Sequence, residues 1–212
     1  MPERVVLAGR VVTLRPLTFD DVDGLVAAAT EDRSSYAFTS VPGDADAMRA
    51  YVAAGLADEQ FGWALPFATT LTDGGRVVGS TRFLELDDWG EGGGGRVGGP
   101  PTGVVGTPKT AEIGATWLAA SVQRTAVNTE AKLLMLQHAF DTWHAERITL
   151  KTDARNARSR AAIERLGAQF EGIRRAHVRA SDGTIRDSAY YSILRAEWPD
   201  VRTRLTARLA RS

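Results

Sequence analysis

The chain has 212 residues, 43% of them hydrophobic, enough to fill a sizeable core in a single domain spanning residues 1–212. Lys plus Arg number 26 and Asp plus Glu number 26, so no overall field draws the chain to nucleic acid or an anionic membrane surface, and a small-molecule or peptide partner is favoured. The absence of cysteine excludes disulfides, thiolate metal sites and a cysteine nucleophile, and no apolar run approaches the roughly 18 residues of a membrane span, which reads as a soluble cytoplasmic protein.

Residues 10–16 alternate and are β-branched, a strand pattern, and Thr18 followed by Asp20 and Asp21 is a helix start with acidic groups at the positive end of the dipole. Asp44 can cap a second helix to about residue 58. Residues 63–71 and 76–84 read as strands joined by a turn at Asp73, Gly74 and Gly75. Glycine and proline dominate residues 87–110 (GEGGGGRVGGPPTG), a composition that cannot offset its ordering entropy and reads as a flexible loop.

A strand follows at 111–118, then a helix at 125–143. Its apolar residues form two stripes, Val127, Ala131, Leu134 and Leu133, Leu136, Phe140, Trp143, which marks a deeply buried helix. Next come a strand at 147–152, a helix at 156–166 stopped by Gly167, and a strand at 168–173. Asp182 and Gly183 turn a hairpin of 177–180 with 185–194, and a closing helix at 197–211 carries Pro199 in its first turn. This alternation implies a mixed α/β sheet.

Two segments carry chemistry. In AEIGATWLAASVQRTAVNTEAKLLMLQHAF a strand, a short polar loop and a long helix offer free N–H groups and a helix dipole to a pyrophosphate, with Gln123, Arg124, Thr125 and Asn128 as added donors. The same segment also reads as an ordinary buried strand–helix unit. In DARNARSRAAIERLGAQFEG, Asn156 stands at a helix start, either as its N-cap or with its amide turned to a ligand between the two helices.

Together these segments resemble the core of the GNAT acetyltransferases, particularly the branch containing ribosomal-protein N-terminal acetyltransferases, most strongly over residues 111–172 and less specifically through RDSAYYSIL and EWPDV. The resemblance implies an α/β (α+β) fold, a mixed, mostly antiparallel sheet of about seven strands flanked by helices and splayed between the fourth strand (111–118) and the fifth (147–152). It implies acetyl-CoA as co-substrate without a metal, direct attack in a ternary complex by a primary amine of a small molecule or protein N-terminus, and a homodimer. The pyrophosphate role falls on Gln123, Arg124, Thr125, Ala126, Val127, Asn128 and Thr129, the pantetheine edge on Trp117 and Leu118, and further cofactor contacts on Asn156 and Ser159. Ala126 and Asn128 replace the glycines of the usual phosphate motif, and both are short enough to admit a phosphate if their φ is negative. Ile163 stands where many relatives carry a tyrosine general acid.

Acetyl transfer from a thioester needs a neutral amine and a proton for the leaving thiolate. Glu112 is the first candidate base, because it lies on the strand that splays open and resembles a glutamate some relatives place there; otherwise it is a solvated or ion-paired strand carboxylate. Ser159 aligns with a serine proposed to protonate the sulfur, against a plain helix-terminal hydroxyl. His177 is a second candidate base, against a packing histidine. His138 and His144 share no helix face and are assigned no metal. Trp63, Trp89, Asp87 and Asp88 are candidates for an acceptor mouth. Two other functions compete: a non-catalytic acyl-CoA sensor, and a nucleotide-binding loop at residues 92–99, which lacks the following Lys and Ser or Thr of a P-loop and precedes a strand.

Overall fold

The computed structural model describes residues 3–89, 107–180 and 182–211. Eight strands, β1 (Leu7–Ala8), β2 (Val12–Pro16), β3 (Leu65–Leu71), β4 (Val77–Asp87), β5 (Thr110–Leu118), β6 (Arg147–Asp153), β7 (Gln169–Arg179) and β8 (Ile185–Leu194), form one sheet in the order β1-β2-β3-β4-β5-β6-β8-β7. Every neighbouring pair is antiparallel except β5 with β6. The helices are α1 (Val22–Thr30), α2 (Ala45–Gln60), α3 (Ala126–Gln137), α4 (Ala157–Leu166) and α5 (Trp198–Leu209). None among the described residues is long and apolar enough to cross a membrane.

Side chains that satisfy backbone groups set the helix ends. The Asp21 carboxylate accepts the Thr18 N–H at the entry to α1 and is itself paired with Arg15. Asp44 caps α2 by accepting from the Ala47 N–H at 2.8 Å, and Asn156 caps α4 by accepting from the Ser159 N–H at 3.0 Å. Gly167 ends α4 at φ +99°, a conformation that favours glycine. Successive β4 residues point to opposite faces: Thr81 meets Lys132 of α3, and Arg82 meets Tyr51 of α2. Helices therefore cover both sides of the sheet, with Phe67, Phe83, Met135, Ile148 and Tyr191 buried between.

Three sequence expectations change. The helix expected over 125–143 is α-helical only to Gln137, after which His138–Thr142 form a π-turn and the Trp143 N–H donates to the His138 carbonyl. The two strands expected at 168–173 and 177–180 are one, β7, because register shifts absorb the intervening residues. The flexible loop expected over 87–110 has its ends in strands, where Asp87 pairs with Thr110, and residues 90–106 lie outside the described residues.

A buried carboxylate fastens β1 and β2 to α3. Glu130 accepts from the N–H groups of Arg10, Val11 and Val12 at 3.0, 2.6 and 2.8 Å. Glu130→Ala strands these donors, one of them fully buried, and is expected to cost about 3 kcal/mol. Thermal unfolding checks this, with an expected drop of roughly 6–12 °C for a chain of this size.

Candidate active site

β5 and β6 pair only from Thr110 with Arg147 to Glu112 with Thr149 and then separate. Beyond Glu112 the β6 side of β5 has no strand partner, and the opening is a cleft of about 650 Å³. β5, β6, the first turns of α3 and α4, and the stretch from Ser35 to Ser40 line it. Among the described residues its lining holds eight basic side chains, Arg124, Lys132, Lys151, Arg158, Arg165, Arg179, Arg186 and Arg208, against one acid, Glu112. The balanced net charge thus conceals a strongly cationic cleft.

At the phosphate end, Arg124 takes φ +63°, an uncommon conformation for a side-chain-bearing residue, just before Thr125 caps α3. The Thr125 hydroxyl donates to the Val122 carbonyl at 2.7 Å and accepts from the Val127 N–H at 3.3 Å. Gln123 donates to the Leu118 carbonyl at 2.8 Å and to Ser35 Oγ at 3.0 Å. Its Oε1 accepts from Arg158, which also donates to the Ser35 carbonyl at 2.7 Å. Gln123 and Thr125 therefore brace the wall, whereas the Arg124 guanidinium and the Asn128 amide show no polar partner among the described residues. Ala126 and Asn128 have negative, helical φ, so neither needs the glycine of the usual motif.

At the apex of the splay Glu112 is 2% exposed, its Oε2 2.7 Å from Lys151 Nζ. Gly114, two residues on, leaves room for this carboxylate, since a Cβ there would collide with Glu112 Oε1. Burial pushes the Glu112 carboxyl above the ordinary range, and the Lys151 ammonium pulls against it. Between these ends β5 is bulged: Ala115 has φ +47°, and the register with β4 shifts between Ser80 and Arg82. No group of three or more His, Cys, Asp or Glu among the described residues can hold a metal ion.

The family model for the acetyltransferase (GNAT) domain matches residues 12–169. The chain belongs to the GNAT acetyltransferases. An acetyltransferase structure from T. thermophilus is 32% identical, with 99% of this chain and 98% of that chain covered and a TM-score of 0.78. A GCN5-related N-acetyltransferase from Brucella melitensis is 28% identical over 98% of this chain and 86% of that chain, with a TM-score of 0.80. Mycobacterium smegmatis RimJ, in complex with CoA-disulfide, shares the fold at 24% identity, a TM-score of 0.74 and coverage of 97% and 92%. No curated protein matches the sequence.

In this GNAT chain the cleft gathers Glu112, Trp117, Leu118, Gln123, Arg124, Thr125, Asn128, Thr129, Asn156 and Ser159. It does not gather Ala126, or Val127, whose side chain is in the core. His177 also stays outside the lining: its Nδ1 lies 2.9 Å from Ser188 Oγ and its Nε2 3.3 Å from Tyr190 Oη. Burial and the charges of Arg174, Lys151 and Arg186 lower its affinity for a proton, so it packs against β8. Trp63 stacks on Phe61, and neither it, Trp89, Asp87 nor Asp88 lines the cleft. Sequence reasoning missed Lys132, Lys151 and Arg158. For Lys132 a signal existed, a cation inside a helix whose doubled apolar stripe demands burial.

Proposed function

We propose that the chain transfers an acetyl group from acetyl-CoA to a primary amine of a small molecule or a protein N-terminus, by direct attack in a ternary complex. The observation that carries this reading is one cationic cleft that joins the free start of α3 to a buried carboxylate at the apex of the splay. Its residues fit the co-substrate. Arg124, Asn128 and the first-turn N–H groups of α3 suit a pyrophosphate, and the open edge of β5 at Trp117 and Leu118 suits the amides of a pantetheine arm. The Asn156 carbonyl oxygen is spent on its cap, which leaves its NH₂ to donate. Acetyl-CoA brings the acyl group as an activated thioester.

On this reading Glu112 takes the proton that frees the amine lone pair, and its burial makes it a stronger base than a surface carboxylate. Backbone N–H groups in the bulged stretch of β5 are available to the oxygen that gains charge as the amine adds. The Ser159 hydroxyl, on the α4 wall, gives a proton to the departing sulfur.

Calorimetry with acetyl-CoA on the wild type and Arg124→Glu tests the cofactor site. The expected result is binding that the charge reversal weakens at least about a hundredfold, or 2.7 kcal/mol. Arg124 makes no hydrogen bond or ion pair among the described residues, so the substitution spares the fold. Thiol release with a panel of amines then tests turnover. Tight binding without release from any amine favours the acyl-CoA sensor, and no binding to folded wild type refutes both.

A further inference from the structure

We infer that Lys151 is a positioning residue that holds Glu112 in its anionic form, and that Glu85 acts as its counterweight. This rests on the reading of Glu112 as the base. Ladder pairing ends at Glu112 and Thr149, and Lys151 is the next β6 residue on the Thr149 face, so its side chain spans the opening strands. Its Nζ lies 2.7 Å from Glu112 Oε2 and 2.8 Å from Glu85 Oε1. Glu85 takes φ +50° where the β4–β5 register breaks between Leu84 and Asp87, and a bulge of this kind re-aims a side chain. Side-chain exposure falls from 63% at Glu85 to 20% at Lys151 and 2% at Glu112, so the three charges run from solvent to the cleft floor.

A carboxylate buried this deeply without a cation takes up a proton and ceases to be a base at neutral pH. The charged groups that face Glu112 are Lys151 on β6, Glu85 on β4 and Arg186 on β8. Around Lys151 stand the Tyr190 ring, 5.9 Å from Nζ, and His177 on β7. Lys151 and Arg186 favour the Glu112 anion and Glu85 opposes it. Burial acts to lower the Lys151 ammonium, but the two carboxylates outweigh it and raise it, so Lys151 stays charged through neutral pH. Neutralising Lys151 or Glu85 must therefore move the titration of Glu112 in opposite directions, a signature that a purely structural salt bridge does not produce.

The test is the pH dependence of kcat/KM for the wild type, Lys151→Met, Lys151→Arg and Glu85→Gln, with thermal unfolding of each. In Lys151→Met the acid limb is expected to move up by about one pH unit, a roughly tenfold loss on that limb that recovers at alkaline pH. Lys151→Arg should restore the wild-type limb, and Glu85→Gln should move it down. A Lys151→Met loss that is equal at every pH, or a Glu85→Gln limb that stays still or moves up, overturns the inference. Should Lys151→Met fail to fold, Glu85→Gln decides, because that side chain is exposed. Glu112→Gln runs alongside: if it is fully active, the base reading has failed, whereas an inactive Glu112→Gln with unmoved limbs elsewhere defeats only the role of Lys151.

Discussion

Glu112→Gln is expected to bind acetyl-CoA as tightly as the wild type and to transfer the acetyl group about a thousandfold more slowly, within the range set by loss of a general base. Glutamine has the shape of glutamate, so the close fit over Gly114 survives. Lys151 keeps Glu85 as a partner and is not left as a lone buried cation. Removing a 2%-exposed carboxylate does not weaken the fold by the usual route of a broken ion pair, because the desolvation opposing that charge goes with it. Steady-state kinetics beside calorimetry separates the cases. Loss of rate with unchanged binding assigns proton transfer to Glu112, and a rate within about threefold of the wild type means that water takes the amine proton unaided.

The elements most legible in the sequence are those whose ends carry their own chemistry. Asp44, Asn156 and Gly167 each satisfy or release backbone groups locally, so the ends of α2 and α4 can be read from a few residues. β1 could not be read. Two residues hold no periodicity, and the turn beside them depends on Glu130, 118 to 120 positions away. The end of α3 was hidden for a related reason. Its apolar spacing continues to Trp143, but the packing of Trp143 against His138 and Phe83, with ring centroids 4.7 and 4.6 Å apart, accompanies a shift of the backbone ladder by one residue.

In the cleft, residue types were legible and their partners were not. Gln123 and Thr125 look like free phosphate donors in a polar loop, yet both are committed to carbonyls of their own wall. Lys151 looks like the solvent side of a strand and instead reaches the buried Glu112, because the strands beside it part. Net charge sums over the whole surface, so the equal counts of acids and bases gave no sign that eight cations share one cleft.

Lys132 shows how such a cation is maintained, and at what cost. It is 5% exposed on α3, and its Nζ donates to Thr116 Oγ1 at 2.6 Å and Thr81 Oγ1 at 3.1 Å, with no carboxylate in reach among the described residues. Burial lowers it from 10.5 to about 7. Between these values the unfolded chain holds a proton that the folded chain has released, so stability rises with pH by about 1.4 kcal/mol per unit for this group. Below about pH 7 both states carry the proton and this slope vanishes, leaving the full penalty of a buried charge. Lys132→Met removes the penalty with a side chain of similar reach, and the Thr81 and Thr116 hydroxyls, 2.7 Å apart, can satisfy each other. The variant is expected to be more stable than the wild type at pH 7 by a few kcal/mol, on the order of 3, with the gap closing as the pH approaches 10. Urea unfolding of both proteins across that range checks it. A gap that is constant with pH means that Lys132 is not neutralised in the folded chain, and a less stable variant at pH 7 means that its two threonine hydrogen bonds outweigh the burial of its charge.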